Sequence, residues 1–169
     1  MSKIYIHCVL ILFVSASCVQ KAENTIRLIP NGYTGPIIII FNQEDGSPVE
    51  YENGFRLYRI PENGVLKTQF KPNYGSQKHH FYYVDESGTR DEIQFILVQG
   101  QNQEIEGRLD GNGTVYAYLE QAIGKVENYD SETKKLINVK QPAKTFFIGD
   151  LTDLEKDYSS QIKFLHANR

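Results

Sequence analysis

The sequence predicts a mainly β fold, an immunoglobulin-like or transthyretin-like β-sandwich with a short C-terminal helix. Short runs rich in Ile, Val, Tyr, Phe and Thr recur after Glu23, which is typical of strands. Clusters of Gly, Pro, Asn, Asp and Ser separate these runs, as turns require. The chain of 169 residues is 40% hydrophobic and 23% charged, a balance that suits one soluble domain with its own core.

The β-type runs predict strands at the following places, in chain order: Thr25–Ile29, Pro36–Phe41, Phe55–Ile60, Val65–Phe70, His79–Val84, Glu92–Val98, Thr114–Leu119, Lys135–Val139 and Thr145–Ile148. Most of these runs mix apolar and polar residues. The run Ile37–Ile40 is instead continuously apolar, which indicates a central strand that is buried on both faces.

The connection between the third and fourth runs has the composition of a structural turn. Pro61 presets φ for the first corner, while Asn63 and Gly64 tolerate the positive φ that lets a chain reverse. We predict a hairpin connection here. The functional alternative, in which Glu62 is held between flanking basic residues as a working site, is tested by the stability and binding of Glu62→Gln.

The last part of the chain carries a helical pattern. Thr152 and Glu155 have the spacing of a capping box, in which both side chains satisfy amide groups at a helix start. Apolar residues follow at helical spacing: Leu151, Leu154, Tyr158, Ile162 and Leu165. These observations predict a helix over about residues 151–166.

The N-terminus has the order of a secretory signal. Lys3 precedes the apolar run Ile4–Val14, and the small residues of Ser15–Ser17 follow. This run is too short to cross a bilayer as a permanent helix, which needs about 20 apolar residues. We therefore expect a signal peptide over 1–17, a tether over 18–24 and a single β-rich domain over 25–169.

Cys18 stands where a bacterial lipoprotein signal places the cysteine that is acylated. Cys8 leaves with the signal, so Cys18 is the only cysteine of the mature chain and no disulfide can form within it. The sequence predicts a lipid anchor on Cys18, with palmitate as a candidate acyl group, at the bacterial cell envelope. The alternative is ordinary cleavage after Ser17, which leaves an idle thiol on a secreted protein.

Two stretches carry a resemblance to a known family. They are the motif Gly32–Gly35 and the motif Tyr58–Leu66, which reads Tyr-Arg-Ile-Pro-Glu-Asn-Gly-Val-Leu. In them the chain resembles a family of uncharacterised bacterial secreted proteins and lipoproteins that carry one domain of unknown function. The resemblance implies a compact envelope domain, and it transfers no catalytic residue.

Charge and motif content argue against several classes of function. A net charge of −3, with scattered Lys and Arg, gives no basic patch for nucleic acid. His79 and His80 are neighbours in a predicted strand, so their side chains point to opposite faces and do not share one metal easily. The common hydrolase, protease, nucleotide-binding and redox motifs are missing. We expect no enzyme, no metal and no cofactor.

The sequence is rich in aromatic residues, with 11 Tyr and 9 Phe. His80 with Tyr82, and Tyr116 with Tyr118, alternate along predicted strands and should each share a face. Tyr82, Tyr116 and Tyr118 are thus candidate residues for stacking on a glycan or a protein partner, and the alternative is that these rings pack the core. The sequence predicts a lipoprotein with a structural or interaction role, or alternatively a secreted or surface binding module.

Overall fold

The computed structural model describes residues 22–75, 77–98 and 113–169. Within them the chain forms eleven strands and one helix: β1 Thr25–Pro30, β2 Gly35–Ile40, β3 Tyr51–Glu52, β4 Phe55–Arg59, β5 Val65–Lys67, β6 His79–Val84, β7 Arg90–Phe95, β8 Tyr116–Ile123, β9 Val126–Tyr129, β10 Leu136–Lys140, β11 Ala143–Gly149 and α1 Leu154–Asn168. The prediction of a mainly β fold with a C-terminal helix is confirmed. The immunoglobulin-like or transthyretin-like arrangement is not confirmed.

Nine of these strands form one sheet, in the order β3-β4-β1-β6-β7-β8-β11-β2-β5. The sheet curls until its two edges meet through the segment Ser47–Glu50. At one edge the Gln69 N–H donates to the Ser47 carbonyl over 3.0 Å, and at the other the Leu57 N–H donates to the Glu50 carbonyl over 2.9 Å. These hydrogen bonds pair part of each edge, and unpaired edges otherwise invite association with other chains.

The sheet order corrects the predicted hairpin between β4 and β5. β4 pairs in parallel with β1, whereas β5 pairs in parallel with β2 near the other edge of the sheet. The chain does reverse between them: the Gly64 N–H donates to the Pro61 carbonyl over 2.9 Å, and φ of Gly64 is +72°. Turn chemistry is local, so it specifies the reversal but not which strand the returning chain joins.

The interior of the curled sheet is filled from nearly every strand. Its buried cluster comprises Ile29, Ile37, Ile39, Phe41, Tyr58, Ile60, Leu66, Phe70, Phe81, Ile93, Ala117, Phe146 and Ile148. The alternate residues Ile38 and Ile40 point outward and are buried with Leu165 of the helix. The prediction that Ile37–Ile40 is buried on both faces is therefore confirmed.

Helix α1 begins later than predicted. The Asp153 carboxylate accepts a hydrogen bond of 3.0 Å from the Lys156 N–H, so Asp153 caps the helix. The hydroxyl of Thr152, the predicted cap, donates instead to Asp150 over 2.8 Å. Leu151 is buried with φ of +64° and precedes the helix. Asp is at least as good a cap as Thr, so the sequence does not decide between these neighbours. In the structure the Thr152 side chain is bonded to Asp150, and Asp153 takes the capping position.

Two strands were not predicted. β3 has only two residues, and all four residues of β9 are exposed, so neither shows an alternating burial pattern. β9 pairs with β10 in a separate two-stranded hairpin that links β8 to β11. The predicted strand Lys135–Val139 corresponds to β10, which therefore lies outside the main sheet.

We predict that Gly64→Ala destabilises the protein much more than Gly54→Ala. Both glycines have positive φ, +72° and +80°, so each substitution costs about 1–2 kcal/mol of backbone strain. A Cβ on Gly64 would also collide with the Tyr33 hydroxyl and lie 2.8 Å from the Pro36 carbonyl, whereas a Cβ on Gly54 meets nothing within 4 Å. Urea denaturation should give a loss of about 3 kcal/mol or more at Gly64. Equal losses for the two variants would show that the space at Gly64 is not restrictive.

Candidate functional site: a buried ionic cluster inside the sheet

Arg27 of β1 lies at the centre of the interior with none of its surface exposed. Its guanidinium carbon lies 4.6 Å from the ring centroid of Phe81 and 5.0 Å from that of Phe146. The Nη1 and Nη2 groups donate to the two carboxylate oxygens of Glu120 over 3.3 and 3.0 Å. This is the bidentate, ring-stacked geometry in which arginine tolerates burial better than lysine.

Glu120 reaches the interior because β8 contains a β-bulge. Tyr118 pairs with Phe147 and Gln121 with Thr145, so two residues of β8 oppose one residue of β11. Leu119, inside the bulge, has φ of +54°. A bulge inserts one residue and thereby re-aims the side chains that follow it. Glu120 consequently faces inward, although Tyr118 faces the helix.

Lys144 of β11 and His79 of β6 complete the ionic cluster, which we define as Arg27, His79, Glu120 and Lys144. The Lys144 Nζ lies 3.2 Å and the His79 Nε2 3.6 Å from oxygens of Glu120. On its other side the Nδ1 of His79 lies 3.2 Å from the Thr25 hydroxyl. One carboxylate thus joins residues of four strands.

Burial and charge act against each other on the pKa values of the ionic cluster. Burial alone would raise the pKa of the Glu120 carboxyl, but the nearby Arg27, His79 and Lys144 lower it to about 2. Burial, assisted by Arg27, lowers the pKa of His79 to about 4. Burial also lowers the pKa of Lys144, against the attraction of Glu120. At neutral pH the Glu120 carboxyl is therefore ionised and the His79 imidazole is uncharged.

The ionic cluster has the character of a structural network. The side chains of Lys144, Glu120 and His79 are 9%, 11% and 16% exposed, and Arg27 is not exposed at all. Most of their polar atoms contact one another, and the buried Arg27 Nε has no hydrogen-bond partner among the described residues, so little polar surface is left for a substrate. Sequence reasoning missed this cluster because Arg27, Glu120 and Lys144 lie far apart in the chain and follow no motif.

The three candidate binding tyrosines do not lie on one surface: Tyr116 and Tyr118 lie in the same cluster of side chains, and Tyr82 lies in another. Tyr118 is fully buried, its ring packs against Phe147 at 5.5 Å, and its hydroxyl donates to Asp157 of the helix over 2.5 Å. The prediction that Tyr118 is available for stacking is therefore wrong. Tyr116 is half-buried against the same cluster of side chains. Both residues serve the contact between sheet and helix.

Tyr82 belongs to an outer aromatic face, which we define as Phe55, His80 and Tyr82. The rings of His80 and Tyr82 are nearly parallel, at 9° with centroids 6.3 Å apart, and Phe55 meets His80 edge-on at 5.5 Å. All three side chains are half-buried and stand on a layer of buried aliphatic residues: Ile26, Leu28 and Leu57. The sequence indicated the pair on β6, but not that β4 adds Phe55 from the far side of β1.

Three further features of the chain lie apart from the ionic cluster and the aromatic face: the lipid anchor, metal binding and membrane-spanning segments. Cys18 and the predicted signal peptide lie outside the described residues. Among the described residues there is no group of three or more His, Cys, Asp or Glu that could hold a metal ion. In the same part of the chain, the structure contains no helix of the length and apolarity needed to cross a membrane.

The chain belongs to a family of unknown function, DUF6843, whose model matches residues 21–133. This confirms the resemblance to a family with a domain of unknown function. β11 and α1 lie beyond the matched residues, although β11 is a central strand of the sheet. The fold is similar to the crystal structure of a Bacillus anthracis protein provisionally named a lipoprotein, with 17% identity, 83% of this chain and 78% of that chain covered, and a TM-score of 0.49. No curated protein matches the chain.

We predict that the protein loses stability between pH 7 and pH 5 because of His79. An unfolded histidine has a pKa of 6.5, against about 4 for His79 in the fold. The unfolded state therefore takes up a proton in this range that the folded state does not, which favours unfolding as the pH falls. The loss is at most about 2 kcal/mol, less any screening by water. Urea denaturation at both pH values measures it.

The matched variants are His79→Gln and His166→Gln, since His166 is exposed on α1. His79→Gln should remove most of the loss between pH 7 and pH 5, and His166→Gln should retain it. A wild-type stability that is flat over this range would contradict the burial of an uncharged His79.

Proposed function

We propose that this protein is a bacterial cell-envelope lipoprotein, anchored by lipid on Cys18, whose sheet domain has a structural or interaction role without catalysis. The observation that carries the proposal is the order of Lys3, the apolar run Ile4–Val14, the small residues Ser15–Ser17 and then Cys18. Cleavage before Cys18 would expose the one remaining cysteine at the new N-terminus, where acylation can attach it to a membrane.

The interior supports a role without catalysis. Catalytic groups need access to substrate, but the charged groups of the ionic cluster contact one another and are nearly enclosed by the sheet. Burial and the nearby Arg27 lower the pKa of His79, and the surrounding Arg27, His79 and Lys144 lower the pKa of Glu120 against the effect of burial. Structural networks produce such shifts as well as catalytic sites. A partner would instead meet the outer surface of the domain.

We predict that an alkyne fatty acid supplied to cells labels the wild-type protein and not Cys18→Ser. The reason is that Cys18 is the only cysteine left after the signal is removed. Fluorescence in a gel after click coupling measures the label, and Cys8→Ser is the control that should label like wild type. Equal labelling of wild type and Cys18→Ser, or none in either, would contradict lipid attachment at Cys18.

A second candidate function is binding of a glycan or a protein through the outer aromatic face. The observation that favours it is the nearly parallel pair of rings of His80 and Tyr82, half-buried on a layer of aliphatic residues. Stacked rings suit the apolar faces of sugars. The ion pair of Arg90 with Glu52, at 2.6 Å, lies on the same face of the sheet and offers hydrogen-bonding groups beside the rings.

We predict that, if this function holds, Tyr82→Ala weakens binding to an immobilised panel of bacterial envelope glycans by about tenfold, equivalent to about 1.4 kcal/mol. Tyr129→Ala is the matched control, because Tyr129 is 53% exposed on the β9–β10 hairpin, away from this face. Purified mature protein is titrated by surface plasmon resonance. Equal binding by the two variants would rule out the aromatic face as the glycan site.

A further inference from the structure

We propose that the end of the sheet at which β1 begins rests on the bilayer surface, with the opposite loops directed away from it. This inference rests on the lipid anchor proposed for Cys18. The contacting surface is the cap segment, which we define as residues 71–75 and 77–78, together with the exposed β9–β10 hairpin. The partner is a lipid surface that contains anionic headgroups.

The first step is the short distance between Cys18 and the folded domain. Ala22 is only 7% exposed, and the Glu23 N–H donates to the Asn73 side-chain oxygen over 3.0 Å. The Asn73 amide donates back to the Glu23 carbonyl over 2.6 Å, and the Arg56 Nε donates to the Glu23 carboxylate over 2.7 Å. Residues 22–24, assigned to the tether from the sequence, are therefore part of the packed domain.

A lipid on Cys18 would consequently hold this end of the sheet close to the membrane. Cys18 and Ala22 are four positions apart in the sequence, and such a stretch spans at most about 14 Å even when fully extended. That reach is less than the length of β1, which rises about 20 Å over its six residues. The domain has too little tether to present its opposite end to the same bilayer.

The two ends of the sheet carry different segments of the chain. Thr25 pairs with Arg56 and with His79, so β1, β4 and β6 all begin at the anchored end, and the cap segment leads into β6 there. At the other end Pro30 pairs with Val84. Tyr33 joins the loops of that far end, since its carbonyl accepts from the Tyr83 hydroxyl and its own hydroxyl donates to the Pro36 carbonyl, both at 2.6 Å.

The loops that the structure describes at the far end are acidic. They are residues 31–34, 61–64, 85–89, 113–115 and 150–153, and together they contain five carboxylates and no Lys or Arg: Glu62, Asp85, Glu86, Asp150 and Asp153. The arginines at the flanking strand ends, Arg59 and Arg90, are paired with Glu50 and Glu52. A surface of this charge is repelled by anionic headgroups within a Debye length of the membrane. Electrostatics and tether length therefore favour the same orientation.

The anchored end offers groups that suit a membrane interface. Lys71 and Lys78 of the cap segment are exposed, and Tyr74 between them is 48% exposed. Tyrosine and lysine are enriched at the level of lipid headgroups. The hairpin leaves the sheet at this end, because Ala143 pairs with Ile123 there, and it exposes three further apolar side chains: Val126, Tyr129 and Leu136, at 41%, 53% and 51%.

The anchored end is close to neutral as a whole, which makes it compatible with the membrane rather than strongly attracted to it. Glu44 and Asp45 follow β2 at this end, and the hairpin adds carboxylates such as Glu127, which pairs with Lys125. The lipid would attach the domain to the membrane, and the difference in charge between the two ends would determine which end faces the bilayer. The acidic loops would then face other envelope components.

The orientation can be measured with fluorophores at the two ends of the lipidated protein. Lys78→Cys places a thiol in the cap segment and Ser87→Cys places one in a far loop, and both positions are exposed. Each variant is labelled with a maleimide dye and reconstituted into vesicles of equal parts phosphatidylcholine and phosphatidylglycerol with a headgroup quencher. The dye on residue 78 should be quenched at least threefold more strongly than the dye on residue 87.

The outcomes separate this inference from the lipid anchor. Attached fatty acid with equal quenching, or with stronger quenching at residue 87, would overturn the orientation and leave the anchor intact. Absence of fatty acid on Cys18 would overturn both, since the tether argument then loses its basis. As a control for charge, Lys71→Glu introduced into both dye-labelled variants should reduce the quenching difference, whereas Lys156→Glu on α1 should not reduce it. No effect of Lys71→Glu would remove the cap segment from the proposed contact.

Discussion

The ion pair between Arg27 and Glu120 is the interaction on which the rest of the structure depends. It fixes β1 against β8 across the interior, and Glu120 also holds Lys144 of β11 and faces His79 of β6. Buried charges are costly unless they are paired and hydrogen-bonded, so any alternative register that moved one of these strands would leave a charge uncompensated. Apolar packing alone tolerates a shift in strand register more easily. The ionic cluster therefore specifies one arrangement of the four strands β1, β6, β8 and β11.

The outer surfaces of the sheet follow from this inner arrangement. The bulge that turns Glu120 inward leaves Tyr118 on the opposite side, where it bonds to Asp157 and helps to seat α1. The Leu119 carbonyl inside the bulge accepts from Gln161 of the helix over 2.9 Å, so the helix stabilises the bulge in return. Within the described residues, α1 packs on β2 and β11 and not on the strands around β1 that carry the outer aromatic face.

Local features of the fold were predictable from the sequence, and long-range ones were not. The apolar run Ile37–Ile40 identified a central strand because a strand that is buried on both faces is apolar at every position. The helix was visible from its periodicity, yet its first residue was not, because Thr152 and Asp153 are both good caps. Strict alternation along β8 would place Glu120 on the same side as Tyr118, and no local signal marks a bulge at Leu119. The parallel neighbours of β1 come from distant segments, so neither the ionic cluster nor Phe55 in the aromatic face could be derived.

The most direct test of the central claim compares the free energies of unfolding of Glu120→Gln and Glu50→Gln at pH 7. Each substitution removes a carboxylate bonded to an arginine, but Glu120 is 11% exposed while Glu50 is 45% exposed and pairs with an exposed Arg59. The account predicts a loss of about 3 kcal/mol or more for Glu120→Gln, because the substitution leaves the buried Arg27 and Lys144 without the carboxylate they share. It predicts less than about 1 kcal/mol for Glu50→Gln. A similar small loss in both variants would contradict the view that the buried ionic cluster holds the sheet in register.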